Sequence, residues 1–143
     1  MKILTTGSHG LLGTNILPVL ERSFTVIPYD IEEWDITDRD AGERTIRDIR
    51  PDVILNLAAY TNVDECEDCL SLADRVNAEA PGIIAKLCSD HNIKFVHIST
   101  DYVFDGEKET PYREDDETNP TSCLLYTSPS PRDRTRSRMP SYA

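Results

Sequence analysis

Three glycines spaced three apart, in Gly7-Ser8-His9-Gly10-Leu11-Leu12-Gly13, are the residues of this chain best placed to do chemistry. They follow a short apolar run, Ile3-Leu4-Thr5-Thr6, and precede a helical pattern carried by Leu11, Leu12, Ile16, Leu17 and Leu20. Between a strand and a helix, such glycines cradle a pyrophosphate. Gly7 allows the tight turn, Gly10 lets backbone approach the phosphates, and Gly13 lets the helix pack closely on the strand. The free N–H groups and positive dipole end of that helix then face the anion. The plainer alternative is a βα turn that uses glycine only for its positive φ. Asp30 lies about twenty residues beyond the triplet, where an acid accepts hydrogen bonds from an adenosine ribose. Its carboxylate disfavours a 2′-phosphate, which favours NADH over NADPH; an ordinary solvated turn acid is the alternative. Ser99-Thr100-Asp101-Tyr102 places polar groups at a strand's carboxyl end, where a substrate would meet a nicotinamide.

Positioning those groups takes alternating strands and helices. Phe24 to Tyr29 reads as a second strand ending at Asp30. Thr37-Asp38 reads as a helix start, and the helix runs from Arg39 to Arg50 and stops before Pro51. Asp52 to Ala59 is a third strand, apolar on both faces as parallel strands are. Leu70 to Asp90 is helical, with a kink or break expected at Pro81-Gly82. Ile93 to Ile98 is a fourth strand. The expected fold is therefore α/β, a Rossmann-type doubly wound parallel sheet, with ligands bound at the carboxyl ends of its strands.

Composition sets the outer limits. A chain of 143 residues supports one domain with a sizeable core. Its net charge of −11 argues against nucleic acid, whose phosphates it would repel. No apolar run reaches the roughly 18 residues that a membrane span needs. Gly7 to Gly13 interrupts any signal-peptide core, so a cytoplasmic protein is expected. Cys66-Glu67-Asp68-Cys69 has metal-ligand spacing but no second pair, and Cys88 reads as a small buried hydrophobe. His9, His91 and His97 show no ligand or triad spacing, and Glu114 to Glu117 reads as a solvated loop; no metal site is expected in this chain.

In this order the motifs resemble those of the extended short-chain dehydrogenase/reductases, and within them the dTDP-4-dehydrorhamnose reductases. The resemblance covers residues 1–122. Besides the glycine turn it rests on Asp35-Ile36-Thr37-Asp38, Arg50 to Ile54, Asn56 to Asp64, Val76-Asn77-Ala78, His97 to Gly106, Pro111 to Asp116 and Thr118-Asn119-Pro120. It implies hydride transfer from NADPH or NADH to the 4-keto group of dTDP-4-dehydro-L-rhamnose. Carried over by position, Gly7, Gly10, Leu11, Leu12 and Gly13 line the pyrophosphate. Asp30 takes the ribose, Asp35 and Ile36 the adenine region, and Ala58, Ala59 and Tyr60 flank the cofactor. Thr100 supplies the hydroxyl that hydrogen-bonds the reacting carbonyl, with Asp101 beside it at the substrate. Homodimerisation and a divalent cation such as Mg2+ at the dimer contact are further implications for a full-length enzyme. Another nucleotide-sugar reductase or epimerase, or a non-catalytic dinucleotide-binding regulatory subunit, would share the glycine motif.

One departure stands out. The family's acid–base pair, a Tyr with a Lys four residues on, should follow Asn119-Pro120 closely, yet no Tyr-x-x-x-Lys occurs anywhere in the chain. Residues 123–143 carry three prolines and four arginines against one acid, Asp133, and show no apolar periodicity. Cys123 to Asp133 resembles one reading frame of a transposase adapter used in sequencing libraries, and Arg138-Met139-Pro140-Ser141 resembles the flow-cell sequence beyond an index. The expectation is an incomplete Rossmann domain at 1–122, and a disordered, non-native tail at 123–143 from adapter read-through. A chain so constituted should be inactive and should expose a sheet edge.

Overall fold

The structure is a computed structural model that describes residues 1–61, 70–100, 104–108, 110–113 and 116. Cys66, Cys69, Asp101 and the 123–143 tail, on which expectations fell, lie outside the described residues. In order the elements are β1 (Lys2–Thr6), α1 (Leu11–Leu20), β2 (Thr25–Pro28), α2 (Arg39–Ile49) and β3 (Val53–Asn56). Then come α3 (Leu70–Asp74), a π-helical turn (Arg75–Glu79), α4 (Ala80–Asp90) and β4 (Lys94–His97). Contacts divide the chain into two compact units, residues 1–59 with 83–98, and residues 60–82 with 99–143.

The first unit holds one parallel sheet in the order β2-β1-β3-β4. Ile3 pairs with Val26 on one side and Val53 on the other, and Leu55 pairs with Val96. The connection from β1 moves one way and those from β2 and β3 move the other. With right-handed crossovers, α1 therefore covers one face and α2 the opposite face. The reversal opens a crevice between the carboxyl ends of β1 and β3, the usual ligand position in such sheets. This is the doubly wound arrangement the sequence predicts.

Side-chain alternation builds two core layers. Ile3, Val53 and Leu55 share one face, with Leu20 of α1 packed against them. Leu4 and Ile54 point the other way and are fully buried, as are Ile46, Ile84 and Leu87 of the helices. Each such side chain contributes about 1.5–3 kcal/mol relative to exposure. Every residue of β3 is buried, as its unbroken apolar run requires, whereas β2 and β4 at the sheet edges are half-buried.

Local signals explain the boundaries. Asp38 caps α2 by accepting the N–H of Ala41 at 3.0 Å. The helix ends at Arg50, whose left-handed φ of 50° turns the chain into Pro51. In the second unit, the helical irregularity lies before Pro81 and not at Pro81-Gly82. Ala80 donates its N–H to the carbonyl of Arg75, one residue beyond the α pattern. Proline has no N–H to offer Asn77, so the ladder loses a donor beside the widened turn.

Candidate functional site

The glycine turn sits at the carboxyl end of β1, inside the crevice. Gly7 has φ +69°, and a Cβ on it would lie 2.6 Å from the nitrogen of Ala58 and 2.7 Å from its Cα. Glycine is thus required twice there, for the backbone conformation and for the seat against the end of β3. A Cβ on Gly13 would lie 2.4 Å from the carbonyl oxygen of Ser8 and 2.5 Å from that of Gly7. Gly13 therefore lets α1 close onto the turn at the end of β1. Gly10 differs from both: a Cβ would meet only the Gly7 carbonyl, at 3.3 Å. The space above Gly10 is open.

Gly10 is also the N-cap of α1, with no side chain capping it and no acid in the first helical turn. The first N–H groups of a helix lack intrahelical partners and carry the positive end of its dipole. Glycine backbone, open space and an uncapped ten-residue helix make a cradle fitted to an anionic group. Leu11 and Leu12, expected on the apolar face of this helix, are exposed at 88 % and 44 % beside that space.

Two residues pin the turn to the end of β2, and the motif gave no hint of either bond. Ser8 is buried and donates its hydroxyl to the carbonyl of Tyr29 at 2.7 Å, with Thr5 Oγ1 3.0 Å from the same hydroxyl. His9 donates its N–H to Asp30 Oδ2 at 2.8 Å, while Ile31 donates to Oδ1 at 2.9 Å. The Asp30 side chain is 22 % exposed, so it fixes the turn and still reaches solvent. Donor atoms of His9, Asp30 and Glu32 lie within 4.8 Å of one another.

The remaining expected residues divide between the units. Asp35 accepts from the N–H and hydroxyl of Thr37 at 2.9 and 2.8 Å, which shapes the turn into α2. Ile36 is buried. Ala58 is half-buried against Gly7, and Ala59 is exposed. Tyr60 and Thr100 belong to the second unit and are half-buried. There Asn77 takes the Tyr60 N–H at 2.8 Å and donates to the Tyr60 carbonyl at 3.0 Å. Farther along the same unit, Tyr112 stacks on Phe104 and donates to Asp105 at 2.8 Å.

A buried polar chain crosses the strand ends below the crevice. Thr6 donates its hydroxyl to Asn56 Oδ1 at 2.6 Å, and Asn56 Nδ2 lies 3.1 Å from His97 Nδ1. Burial lowers the pKa of His97, partly offset by a hydrogen bond with the Asn56 backbone, so the ring is neutral at neutral pH. A neutral Nδ1 accepting from the amide puts the ring proton on Nε2. Cys88 is a buried thiol whose pKa burial pushes up to about 12, the inert cysteine that the sequence predicts.

Residues 1–127 match the family model of the RmlD substrate binding domain. The chain belongs to the RmlD substrate binding domain family. A dTDP-4-dehydrorhamnose reductase from Burkholderia thailandensis is 42 % identical over 123 residues, which cover 86 % of this chain and 41 % of that protein. The crystal structure of a dTDP-4-dehydrorhamnose reductase from Clostridium acetobutylicum superposes with a TM-score of 0.83 at 42 % identity, over 89 % of this chain and 46 % of that one. The Bacillus anthracis dTDP-4-dehydrorhamnose reductase, solved in complex with NADP, gives a TM-score of 0.82 at 31 % identity, over 88 % of this chain and 45 % of that one. This RmlD-family chain spans about two fifths of the length of the curated relatives it matches. Among the described residues no helix is long and apolar enough to cross a membrane.

Proposed function

We propose that residues 1–122 form the dinucleotide-binding part of a cytoplasmic NAD(P)H-dependent reductase that converts dTDP-4-dehydro-L-rhamnose to dTDP-L-rhamnose. The observation that carries this reading is the cradle: Gly7 seated on Ala58, open space over Gly10, and an uncapped helix behind them. Family membership and the names of the relatives supply the substrate class.

Each residue has a role in this reading. The backbone at Gly7, Gly10 and Gly13, with Leu11 and Leu12 beside it, holds the pyrophosphate against the α1 dipole. Asp30 accepts from ribose hydroxyls, and its charge opposes a 2′-phosphate, so NADH is the preferred form and NADPH the second. Asp35 and Ile36 border the adenine, and Ala58, Ala59 and Tyr60 flank the cofactor beside β3. The bound nicotinamide supplies the hydride. Thr100 donates its hydroxyl to the carbonyl oxygen, where negative charge develops, and Asp101 contacts the sugar. Without a Tyr-x-x-x-Lys pair this 143-residue chain has no proton donor of the family's kind, so it binds the dinucleotide and does not turn over.

Residues 123–143 are read as adapter-derived, not as part of the enzyme. A homodimer is the assembly that the family resemblance implies for the full-length enzyme. A divalent cation such as Mg2+ at the dimer contact is a further implication of that resemblance for the full-length enzyme. The test is titration of the 143-residue chain with NADH and NADPH by fluorescence and calorimetry. Saturable binding with NADH the tighter ligand supports the reading, and absence of binding to either refutes it. The full-length product of the same locus should then oxidise NADH only when dTDP-4-dehydro-L-rhamnose is present.

A further inference from the structure

We propose that Asn56 is a positioning residue for dinucleotide binding: its side-chain oxygen holds the Ala58 backbone against Gly7 without itself touching the cofactor. The proposal rests on the dinucleotide reading above. Asn56 ends β3 and is completely buried. The last backbone bond in the β1–β3 ladder runs from the Leu57 N–H to the Thr6 carbonyl at 3.1 Å. One residue later the acceptor changes from backbone to side chain, and the Ala58 N–H goes to Asn56 Oδ1 at 3.2 Å. The same oxygen accepts the Thr6 hydroxyl, and the amide nitrogen meets His97. One carboxamide therefore joins the carboxyl ends of β1, β3 and β4.

The Ala58 nitrogen it holds is the atom closest to Gly7, 2.6 Å from where a Cβ on that glycine would stand. No slack separates Ala58 from the turn, so a displacement of Ala58 is passed to Gly7 and on to the cradle. Several side chains could fill the volume of Asn56. What the site specifically needs is an acceptor aimed at the Ala58 N–H, because a buried N–H without a partner is costly.

Two variants of the 143-residue chain separate this from ordinary packing. Asn56→Asp keeps an oxygen for Ala58 and Thr6, and its second oxygen takes an Nδ1 proton from His97 in the other tautomer. Asn56→Leu keeps the volume and removes the acceptor. Hydrogen exchange of the Ala58 amide and NADH affinity are measured at a temperature where all forms are folded. The expected result is a protected Ala58 amide and an affinity within about threefold of wild type for Asn56→Asp. Asn56→Leu should show fast Ala58 exchange and affinity weakened by about tenfold or more. If Asn56→Leu does not fold, Asn56→Gln takes its place, with the amide retained and its oxygen displaced by one methylene. A variant lacking the acceptor that melts lower yet keeps wild-type affinity and Ala58 protection would make Asn56 merely structural and overturn the proposal. Failure of the wild-type chain to bind NADH would instead overturn the dinucleotide reading, and the role of Asn56 with it.

Discussion

Gly10→Ala and Gly13→Ala are the same chemical change three residues apart, and the structure assigns them opposite consequences. At Gly13 the new methyl would sit 2.4 Å and 2.5 Å from two carbonyl oxygens, both backbone and both within the turn. Neither can swing aside as a side-chain tip would, so α1 must shift off the turn. Overpacking of this kind costs about 1–3 kcal/mol. In a domain of this size that lowers Tm by about 4 °C per kcal/mol. At Gly10 the contact is a single 3.3 Å approach to one oxygen, relieved by a few tenths of an ångström. Its folding cost should stay below about 1 kcal/mol, the size of the N-cap preference for glycine over alanine. The Gly10 methyl, however, occupies the open space over the α1 N-terminus, so dinucleotide affinity should fall by tenfold or more, about 1.4 kcal/mol. Gly82→Ala is the control, with nothing within 4 Å of its Cβ, and should leave both properties unchanged or slightly raise stability. Thermal melting by circular dichroism and NADH titration of the three variants decide the matter. A Gly10→Ala variant that binds NADH as tightly as wild type would refute the cradle. A Gly13→Ala variant that melts with wild type would refute the packing.

Three further outcomes are expected. Gly42→Ala would bring a methyl to 2.6 Å from Trp34 Cζ2 and 2.8 Å from Leu87 Cδ1 in the core, and should cost about 1–3 kcal/mol in denaturant unfolding with no direct effect on NADH affinity. Because the folded pKa of His97 lies below its ordinary value, the unfolded chain binds the proton first on acidification. Stability should therefore be complete above pH 6.5 and fall below it, by up to about 1.4 kcal/mol per pH unit, and His97→Gln should flatten that part of a urea-midpoint profile. Genomic resequencing beyond codon 122, with a library built on different adapters, should replace Cys123 to Ala143 with a continuation that contains Tyr-x-x-x-Lys; recovery of the same tail would refute its adapter origin.

Much of the first unit was legible because its signals are local. Glycines at fixed spacing, an Asp cap, a proline stop and runs of β-branched residues each act within a few residues of themselves, and β1, α1, α2 and β3 follow from them. What was not legible depends on partners distant in sequence. Trp34 stands among acidic residues, yet it is 2 % exposed, with Gly42 packed against its ring. Asn56 is one polar letter at the end of an apolar strand, and nothing local announces that three strand ends converge on its amide. Asn77 is similar, since its grip on Tyr60 is made across seventeen residues. At Gly13 the motif supplies a need for closeness but not the atoms approached. The helical break was expected at Pro81, where the sequence is conspicuous, but the strain is taken up in the preceding turn, where the lost donor is felt.

Trp34 has one more consequence. It is the sole tryptophan of the chain, buried, and tied through Nε1 to the Asp38 carbonyl at 3.2 Å. A single indole so enclosed makes the intrinsic emission a one-site signal: its wavelength reports whether this core is closed, with no label and no competing fluorophore of its kind. Reduced nicotinamides absorb in the region where indole emits, so occupancy of the same unit should quench that light. One optical channel thus distinguishes a chain that has lost its ligand from one that has lost its fold.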